Sequence, residues 1–182
     1  MSKNRGFEVI SCLNNMIPLP ERKTSHSAGY DISVIHPDVF ELLKQGKSLE
    51  ESWLQVSHVL PEDKTKRFAT VWKGLEEHAK AILLPTGIKA YMQDDEVLIM
   101  AVRSSKGIKN GIVQANPPSI IDADYYNNSD NEGHIFFAVN NMAVVFDKPI
   151  MPIAQGVFMK YLVVDNDNAD GERIGGIGST DK

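Results

Sequence analysis

The sequence predicts a mainly β fold, a jelly-roll-like barrel interrupted by one helical segment. Most of the chain consists of short apolar or alternating runs bounded by Gly, Pro, Asn and Asp, which is the pattern of antiparallel barrels and sandwiches. Between residues 37 and 83 the apolar residues instead recur at helical spacing. A length of 182 residues fits one domain, so we expect a single domain over 1–182 with a helical insertion at 37–83.

Eight runs have the residue types and flanking turn signals of strands. They are residues 7–12, 29–35, 87–91, 96–102, 111–113, 119–121, 134–146 and 154–164. Two polar stretches lie between or after them. Residues 127–133 are predicted to form an exposed loop, and residues 165–171 to detach the last part of the chain as a mobile arm, 165–182.

Two helices are predicted inside the insertion. Ser48 and Glu51 have the spacing of a capping box, and Leu49, Trp53, Val56 and Leu60 follow at helical intervals. After Pro61, an apolar stripe of Phe68, Val71, Trp72, Leu75 and Ala79 predicts the second helix. We expect both stripes to pack on each other and on the sheet, with the insertion peripheral to the fold; a partner-binding face is the alternative.

Composition excludes several classes of protein. Asp and Glu total 24 against 19 Lys and Arg, and a net charge of −5 argues against nucleic-acid binding through bulk charge. No apolar run approaches the roughly 18 residues of a membrane-spanning helix, so no membrane segment is expected. The single cysteine, Cys12, has no partner for an intrachain disulfide, which favours a reducing, cytoplasmic setting.

Arg103, Ser104 and Ser105 form the first candidate for ligand binding. They follow a predicted strand and begin a turn-rich stretch that carries further cations. A guanidinium binds phosphate oxygens with two parallel hydrogen bonds, and adjacent hydroxyls can take the remaining oxygens. The three residues therefore suit a polyphosphate, with an ordinary surface turn as the alternative.

Asp122 and Asp124 form the second candidate. They come directly after an apolar strand, where one carboxylate can point inward as a base while the other caps the turn. The pair could also hold a divalent cation, or serve only as turn acids. The five histidines lack His-x-x-x-His spacing and no Gly-x-Ser-x-Gly motif is present, which argues against zinc and serine hydrolases.

The glycine-rich stretch 173–180 could let backbone N–H groups approach an anion. A dinucleotide fingerprint or a Walker loop requires a helix directly afterwards, which the residues after Thr180 do not supply. We therefore expect an arm that closes on a ligand held elsewhere, with a disordered tail as the alternative.

Taken in order, five short motifs resemble those of the trimeric dUTPase family, the dUTP pyrophosphatases. The motifs are residues 27–32 with Asp31, 103–112 beginning at Arg103, 115–125 with Asn116, Asp122 and Tyr125, 153–155 with Gln155, and 173–180 beginning at Arg173. The resemblance implies a jelly-roll-like β-clip fold. It also implies a homotrimer whose three active sites are each shared among the chains, dUTP as substrate, and Mg²⁺ held through the substrate phosphates and water.

The resemblance also implies roles for individual residues. Asp122 would be the general base that activates a water for attack on the α-phosphorus, Tyr125 would pack on the deoxyribose and exclude ribonucleotides, and Asn116 would read the uracil edge. Arg103, Ser104, Ser105 and Gln155 would contact the phosphates, with Asp31 supporting them. Ile177 and Gly178 would close over the nucleotide, and Arg173, Ser179 and Thr180 would lie at its γ end.

Two other functions remain open at this point. A dCTP deaminase-type enzyme of the same superfamily shares the Arg-Ser-Ser motif. A trimeric nucleotide-binding regulatory protein would use the helical insertion to bind a protein partner.

Overall fold

The computed structural model describes residues 3–14, 16–59, 81–140, 144, 146–171, 173 and 175. The strands in these ranges are β1 (Gly6–Val9), β2 (Tyr30–Ile35), β3 (Ile82–Pro85), β4 (Ile88–Tyr91), β5 (Glu96–Val102), β6 (Ser119–Asp122), β7 (Phe136–Val139) and β8 (Ile150–Lys160). The helices are α1 (Pro37–Lys44), α2 (Leu49–Val59) and α3 (Ser104–Asn110), with 3-10 turns at Ser11–Leu13 and Ala123–Tyr125. The predicted mainly β fold is confirmed.

The strands form one four-stranded sheet and two two-stranded sheets. The larger sheet has the order β2-β8-β5-β6, and the smaller ones pair β1 with β4 and β3 with β7. Every pairing between these strands is antiparallel. Because strand side chains alternate in direction, every second residue enters the core: Ile32 and Val34 from β2, Leu98 and Met100 from β5, and Phe137 and Val139 from β7 are fully buried.

Strand prediction succeeded where the local pattern was clear and failed at its edges. β5 has the predicted bounds, whereas 111–113 is irregular and only Gln114 bridges to Val139. β8 begins at Ile150, four residues earlier than predicted, because Pro152 is accommodated where the β2–β8 register shifts between Ile32 and Ser33. A strand bulge of this kind tolerates a proline, which cannot donate to the ladder.

The predicted capping box forms at the start of α2. Ser48 N donates to Glu51 Oε2 at 3.0 Å, and Glu51 N donates to Ser48 Oγ at 3.2 Å. Two of the otherwise unpaired donors at the helix start are thereby satisfied. The second predicted helix, after Pro61, lies outside the described residues, and the predicted end of the insertion at Leu83 is wrong because Ile82 and Leu83 belong to β3.

The expectation that the insertion is peripheral is wrong for α1. Pro37 occupies the first turn of this helix, and the His36 side chain caps it by accepting from Asp38 N at 3.2 Å. Val39, Phe40 and Leu43 then lie on its inner face and belong to the main hydrophobic core. α1 is therefore part of the barrel's packing.

None of the helices in the described ranges combines the length and the apolar character needed to cross a bilayer.

Candidate active site

Arg103 lies at the end of β5, against the first and fourth motifs. Asp31 of β2 and Gln155 of β8 are directly opposite each other, and Gln155 is opposite Ala101 of β5. The Arg103 Nε lies 3.0 Å from Asp31 Oδ1, and its Nη1 donates to the Pro152 carbonyl at 3.3 Å. The structure therefore brings together Asp31, Arg103 and Gln155.

Ser104 and Ser105 begin α3, with Arg103 as the residue before the helix. Both serines are exposed. The helix ends at Asn110, and the next residue, Gly111, has a φ of +65°, a left-handed conformation that glycine adopts without strain. The turn expected from the sequence is a seven-residue helix. Two exposed hydroxyls therefore follow Arg103 directly along the chain, and hydroxyls and a guanidinium are donors suited to phosphate oxygens.

Asp31 carries an unused hydrogen-bond acceptor. Its Oδ1 pairs with Arg103, whereas its Oδ2 is buried and has no partner among the described residues. A buried polar atom without a partner costs free energy, so such an atom often marks the place of a bound water or ligand.

The two carboxylates of the third motif share one cation. Asp122 ends β6 and Asp124 lies in the 3-10 turn Ala123–Tyr125 that follows. Arg173 Nη2 donates to Asp122 Oδ2 at 2.6 Å, and Arg173 Nε donates to Asp124 Oδ1 at 2.8 Å. Both carboxylate side chains are about half exposed, whereas Arg173 is largely covered. Asp122 is therefore open to solvent and lies beside a positive charge.

The expectation that Arg173 lies at the γ end of a bound nucleotide stays a prediction. In the structure, Arg173 contacts Asp122, Asp124 and the ring of Tyr125 in its own chain. The physical reason is that the planar guanidinium can donate to two carboxylates at once, and the turn after β6 holds both carboxylates on one side. Ile177, Gly178, Ser179 and Thr180 lie outside the described residues.

Tyr125 is fixed by its hydroxyl group. The side chain is buried, its OH donates to the His134 carbonyl at 2.9 Å, and it accepts from Asn131 Nδ2 at 2.8 Å. Burial raises the pKa of Tyr125, so the hydroxyl stays protonated and remains a donor at neutral pH. The Arg173 guanidinium carbon lies 5.8 Å from the ring centre.

Asn116, Asp122, Tyr125 and Arg173 line a single cavity of about 440 Å³. Its apolar walls come from β3, β6 and β7, through Leu83, Ile121 and Phe136 among others. Asn116 Oδ1 accepts from Ser119 Oγ at 3.2 Å, and the buried Gln114 donates to the same Ser119 oxygen at 2.8 Å. A few polar groups converging in a mostly apolar cavity are typical of a small-molecule site.

The two clusters lie far apart within one chain. Asp122 is opposite Val97 at the start of β5, whereas Asp31 lies in the row of Ala101 on the far edge of the sheet. Asp31 and Asp122 are three strands apart across the sheet and four residues apart along the strands, which corresponds to a distance of about 20 Å. The structure thus brings together Asp31, Arg103 and Gln155 on one side, and Asn116, Asp122, Tyr125 and Arg173 on the other.

Sequence reasoning missed the residues that hold this site in place. Gln114 and Asn131 were not singled out, and residues 127–133 were expected to be an exposed loop, whereas Asn128 and Gly133 are buried. The density of asparagines in this loop was the available signal, because Asn side chains often bond to nearby backbone.

The chain resembles several known proteins, although no protein-family model matches it. The deoxyuridine 5'-triphosphate nucleotidohydrolase of Lactococcus lactis subsp. lactis (strain IL1403) is 41% identical over 184 residues, which covers 98% of each chain. A protein of the same name from Paraburkholderia phymatum is 32% identical over 111 residues, covering 58% of this chain and 73% of its own.

Solved structures agree with this likeness. The crystal structure of dUTPase from Streptococcus mutans has 34% sequence identity and a TM-score of 0.57, covering 88% of this chain and 99% of that one. The dUTPase from phage phi11 of S. aureus has a TM-score of 0.51 at 13% identity, covering 93% and 97% of the two chains, and so shares the fold.

Proposed function

The chain belongs to the deoxyuridine 5'-triphosphate nucleotidohydrolase (dUTPase) family, and on that premise we propose that it hydrolyses dUTP to dUMP and pyrophosphate. The observation that carries the proposal is the cavity where Asn116, Asp122, Tyr125 and Arg173 converge. It offers a base, a ring for the sugar and an amide for the nucleobase within one enclosure of nucleoside size.

Asp122 acts as the general base in this proposal. Its carboxylate is about half exposed, so a water can reach it, and the Arg173 guanidinium lies 2.6 Å from it. The carboxylate takes a proton from this water, whose oxygen attacks the α-phosphorus. The bond between the α-phosphorus and the oxygen that bridges it to the β-phosphorus breaks, and pyrophosphate leaves. Because Arg173 lies beside Asp122, its guanidinium can also stabilise the negative charge that develops in the transition state.

Tyr125 selects the sugar of the substrate and Asn116 selects its base. The Tyr125 ring is immobilised through its hydroxyl, so it can exclude a 2'-oxygen by shape. Asn116 offers an amide that can pair with the uracil edge, and Ser119 orients that amide. Ile177, Gly178, Ser179 and Thr180 cover the bound nucleotide as the arm closes.

The phosphates bind at the other cluster, through Arg103, Ser104, Ser105 and Gln155. Asp31 fixes the Arg103 guanidinium in place at 3.0 Å. The residues also fit a hydrated Mg²⁺ held by the triphosphate, because the unpartnered Asp31 Oδ2 can accept a hydrogen bond from one of its waters. When bound, Mg²⁺ neutralises charge on the phosphate oxygens.

The distance between the clusters supports a homotrimer with shared active sites. Within one chain, Asp31 and Asp122 are about 20 Å apart across the sheet, and the Arg103 side chain points towards Asp31. A base and phosphate ligands must converge on one triphosphate. The cluster of Asp31 and Arg103 in one chain therefore completes the cavity of another.

The segment after β8 supports this self-association. Leu162, Val163 and Val164 are 98%, 64% and 74% exposed, and Met159 and Tyr161 beside them are also exposed. Contiguous apolar surface of this kind typically marks an interface. We propose that a second copy of the chain covers it, and that the protein works as a cytoplasmic enzyme.

The proposal is tested by incubating the protein with dUTP, dCTP, UTP and dTTP in turn, each with Mg²⁺, and measuring pyrophosphate and ammonia. Pyrophosphate from dUTP, with little from the other three nucleotides, is the expected result. Ammonia from dCTP would instead identify a deaminase-type enzyme, and binding of dUTP without turnover would identify a nucleotide-binding regulatory protein.

A further inference from the structure

The loop that follows Tyr125 holds this tyrosine by side-chain hydrogen bonds. Asn131 Nδ2 donates to the Tyr125 hydroxyl at 2.8 Å, and Asn128 Nδ2 donates to the Tyr125 backbone carbonyl at 2.9 Å. Asn128 Nδ2 also donates to Asn131 Oδ1 at 2.9 Å, so the two amides orient each other. The ring that lines the cavity is thus held from the loop side.

The loop itself is anchored to the body of the protein. Lys89 Nζ, on β4, lies 2.6 Å from Asn127 Oδ1 and 2.7 Å from Glu132 Oε1. Lys89 is buried, and the Glu132 carboxylate also accepts from Ser11 N. A buried cation paired at both ends of the loop fixes the loop's position relative to the sheet. Asn131 therefore acts from a rigid support.

We propose that Asn131 is a positioning residue that sets the discrimination between deoxyribose and ribose by fixing the ring of Tyr125. The inference rests on the proposed function, in which Tyr125 excludes the 2'-oxygen. A steric filter works only if its ring stays at contact distance from C2' of the sugar, and a displacement of less than 1 Å is on the order of what an extra oxygen requires.

The direction of each hydrogen bond makes Asn131→Asp a specific probe. The Tyr125 hydroxyl proton is used on the His134 carbonyl, so the hydroxyl meets Asn131 as an acceptor. Aspartate keeps the Oδ1 that accepts from Asn128 and from Gly133 N, but it replaces the donor with a second acceptor. Two acceptors then face each other at 2.8 Å unless the hydroxyl turns its proton from the His134 carbonyl to the carboxylate. In either case one of the two hydrogen bonds that hold the ring is lost.

Asn127→Asp is the matched control. Asn127 lies in the same loop and the substitution makes the same change of amide to carboxylate, but its side chain contacts Lys89 and not Tyr125. A carboxylate there keeps the acceptor for the lysine. An effect caused only by added negative charge in this loop would appear in both variants.

The experiment measures kcat/KM for dUTP and for UTP in the full-length protein, its two Asp variants, Tyr125→Phe, and the double variant with Asn131→Asp and Tyr125→Phe. We expect Asn131→Asp to lower the ratio of dUTP to UTP specificity about tenfold, and Asn127→Asp to leave the ratio within about twofold. Tyr125→Phe removes the hydroxyl, so Asn131→Asp should cause little further change in its background.

An unchanged ratio in Asn131→Asp, or an equal loss with and without the Tyr125 hydroxyl, would overturn the inference while leaving the dUTPase proposal intact. If Asn131→Asp does not fold, Tyr125→Phe becomes the test, because it removes the hydroxyl that bonds to Asn131. An unchanged ratio of dUTP to UTP specificity in Tyr125→Phe would then contradict the inference. Absence of dUTP turnover in the unaltered protein would overturn the proposed function and the inference together.

Discussion

Arg173 bridges Asp122 and Asp124, with Nη2 2.6 Å from Asp122 Oδ2 and Nε 2.8 Å from Asp124 Oδ1. The residue proposed as the base and its neighbour in the turn therefore share one guanidinium. The two carboxylates have similar exposure and the same cation, so their roles differ only in what else each can reach. This makes them a matched pair for mutation.

Asp122→Asn is expected to lower turnover of dUTP by about 10²- to 10⁴-fold with little change in dUTP binding, because it keeps the shape but removes the proton acceptor. Asp124→Asn makes the same change of carboxylate to amide beside Arg173 but should reduce kcat less than about tenfold, since we assign Asp124 to the turn. Steady-state kinetics and equilibrium binding of both variants check this. Equal losses would mean that pairing with Arg173, not base catalysis, is what both carboxylates provide.

Truncation after Asn168 should reduce kcat by about 10²-fold while leaving thermal stability nearly unchanged. It removes Arg173, which we propose meets charge developing in the transition state, but no residue of the described strands. The kcat of Arg173→Lys in the full-length chain should lie between those of the truncated and the intact protein. An ammonium keeps the charge but cannot bridge two carboxylates in one plane. The measurement is kcat at saturating dUTP and Mg²⁺. Equal kcat values for the truncated and the intact protein would show that the arm has no role in turnover.

Phe40→Ala is expected to lower the free energy of unfolding by about 3 kcal/mol, because Phe40 of α1 is buried in the main core. Leu54→Ala on α2 is the control, since Leu54 is 56% exposed and should change stability by less than about 0.5 kcal/mol. Urea unfolding at fixed chain concentration measures both. Similar small effects would restore the view that the whole insertion is peripheral.

Stability should fall as the pH drops below about 6.5, because two histidines are buried in their neutral form. Burial, reinforced by Lys44 and opposed by Glu132, lowers the pKa of His134 to about 4, and burial also lowers the pKa of His36 against the pull of Asp38. Below the ordinary histidine pKa, each of these histidines binds a proton in the unfolded chain but not in the folded chain, so protonation favours unfolding. For His134 alone this costs about 2 kcal/mol between pH 6.5 and pH 5, and the loss levels off below about pH 4.

The measurement is urea unfolding at several pH values for the unaltered protein, His134→Gln and, as control, His26→Gln at an exposed position. The pH dependence should shrink in His134→Gln, with His36 contributing what remains, and stay the same in His26→Gln. A pH dependence that is the same in all three proteins would show that His134 titrates normally in the folded state.

How far the sequence predicts this structure depends on how local each determinant is. Ser48 and Glu51 are three residues apart, and their helix start formed as predicted. The meeting of Asp31 with Arg103 depends on the register of β2 and β8 and could only be suggested by resemblance. β3 was missed because its four residues show no alternating pattern and its pairing depends on β7, about fifty residues away.

The same reasoning explains the residues around Tyr125. Asn131 lies in a run of polar residues, which from sequence alone indicates an exposed loop. Its partner is a hydroxyl whose direction is set by a third residue, His134. No pattern of residue types encodes that geometry, so positioning residues of this kind emerge only from the folded structure.

The most direct test of the shared active site is subunit complementation between Asp122→Asn and Arg103→Gln, each nearly inactive alone. Chains of the two variants are mixed in equal amounts, unfolded, refolded together and assayed for pyrophosphate release from dUTP. If Arg103 of one chain completes the cavity of another, about a quarter of the sites in randomly mixed trimers carry both native residues, and activity should return to about a quarter of the unaltered level. Activity that stays at the level of the separate variants, in a mixture shown to contain mixed trimers, would contradict a site assembled between chains.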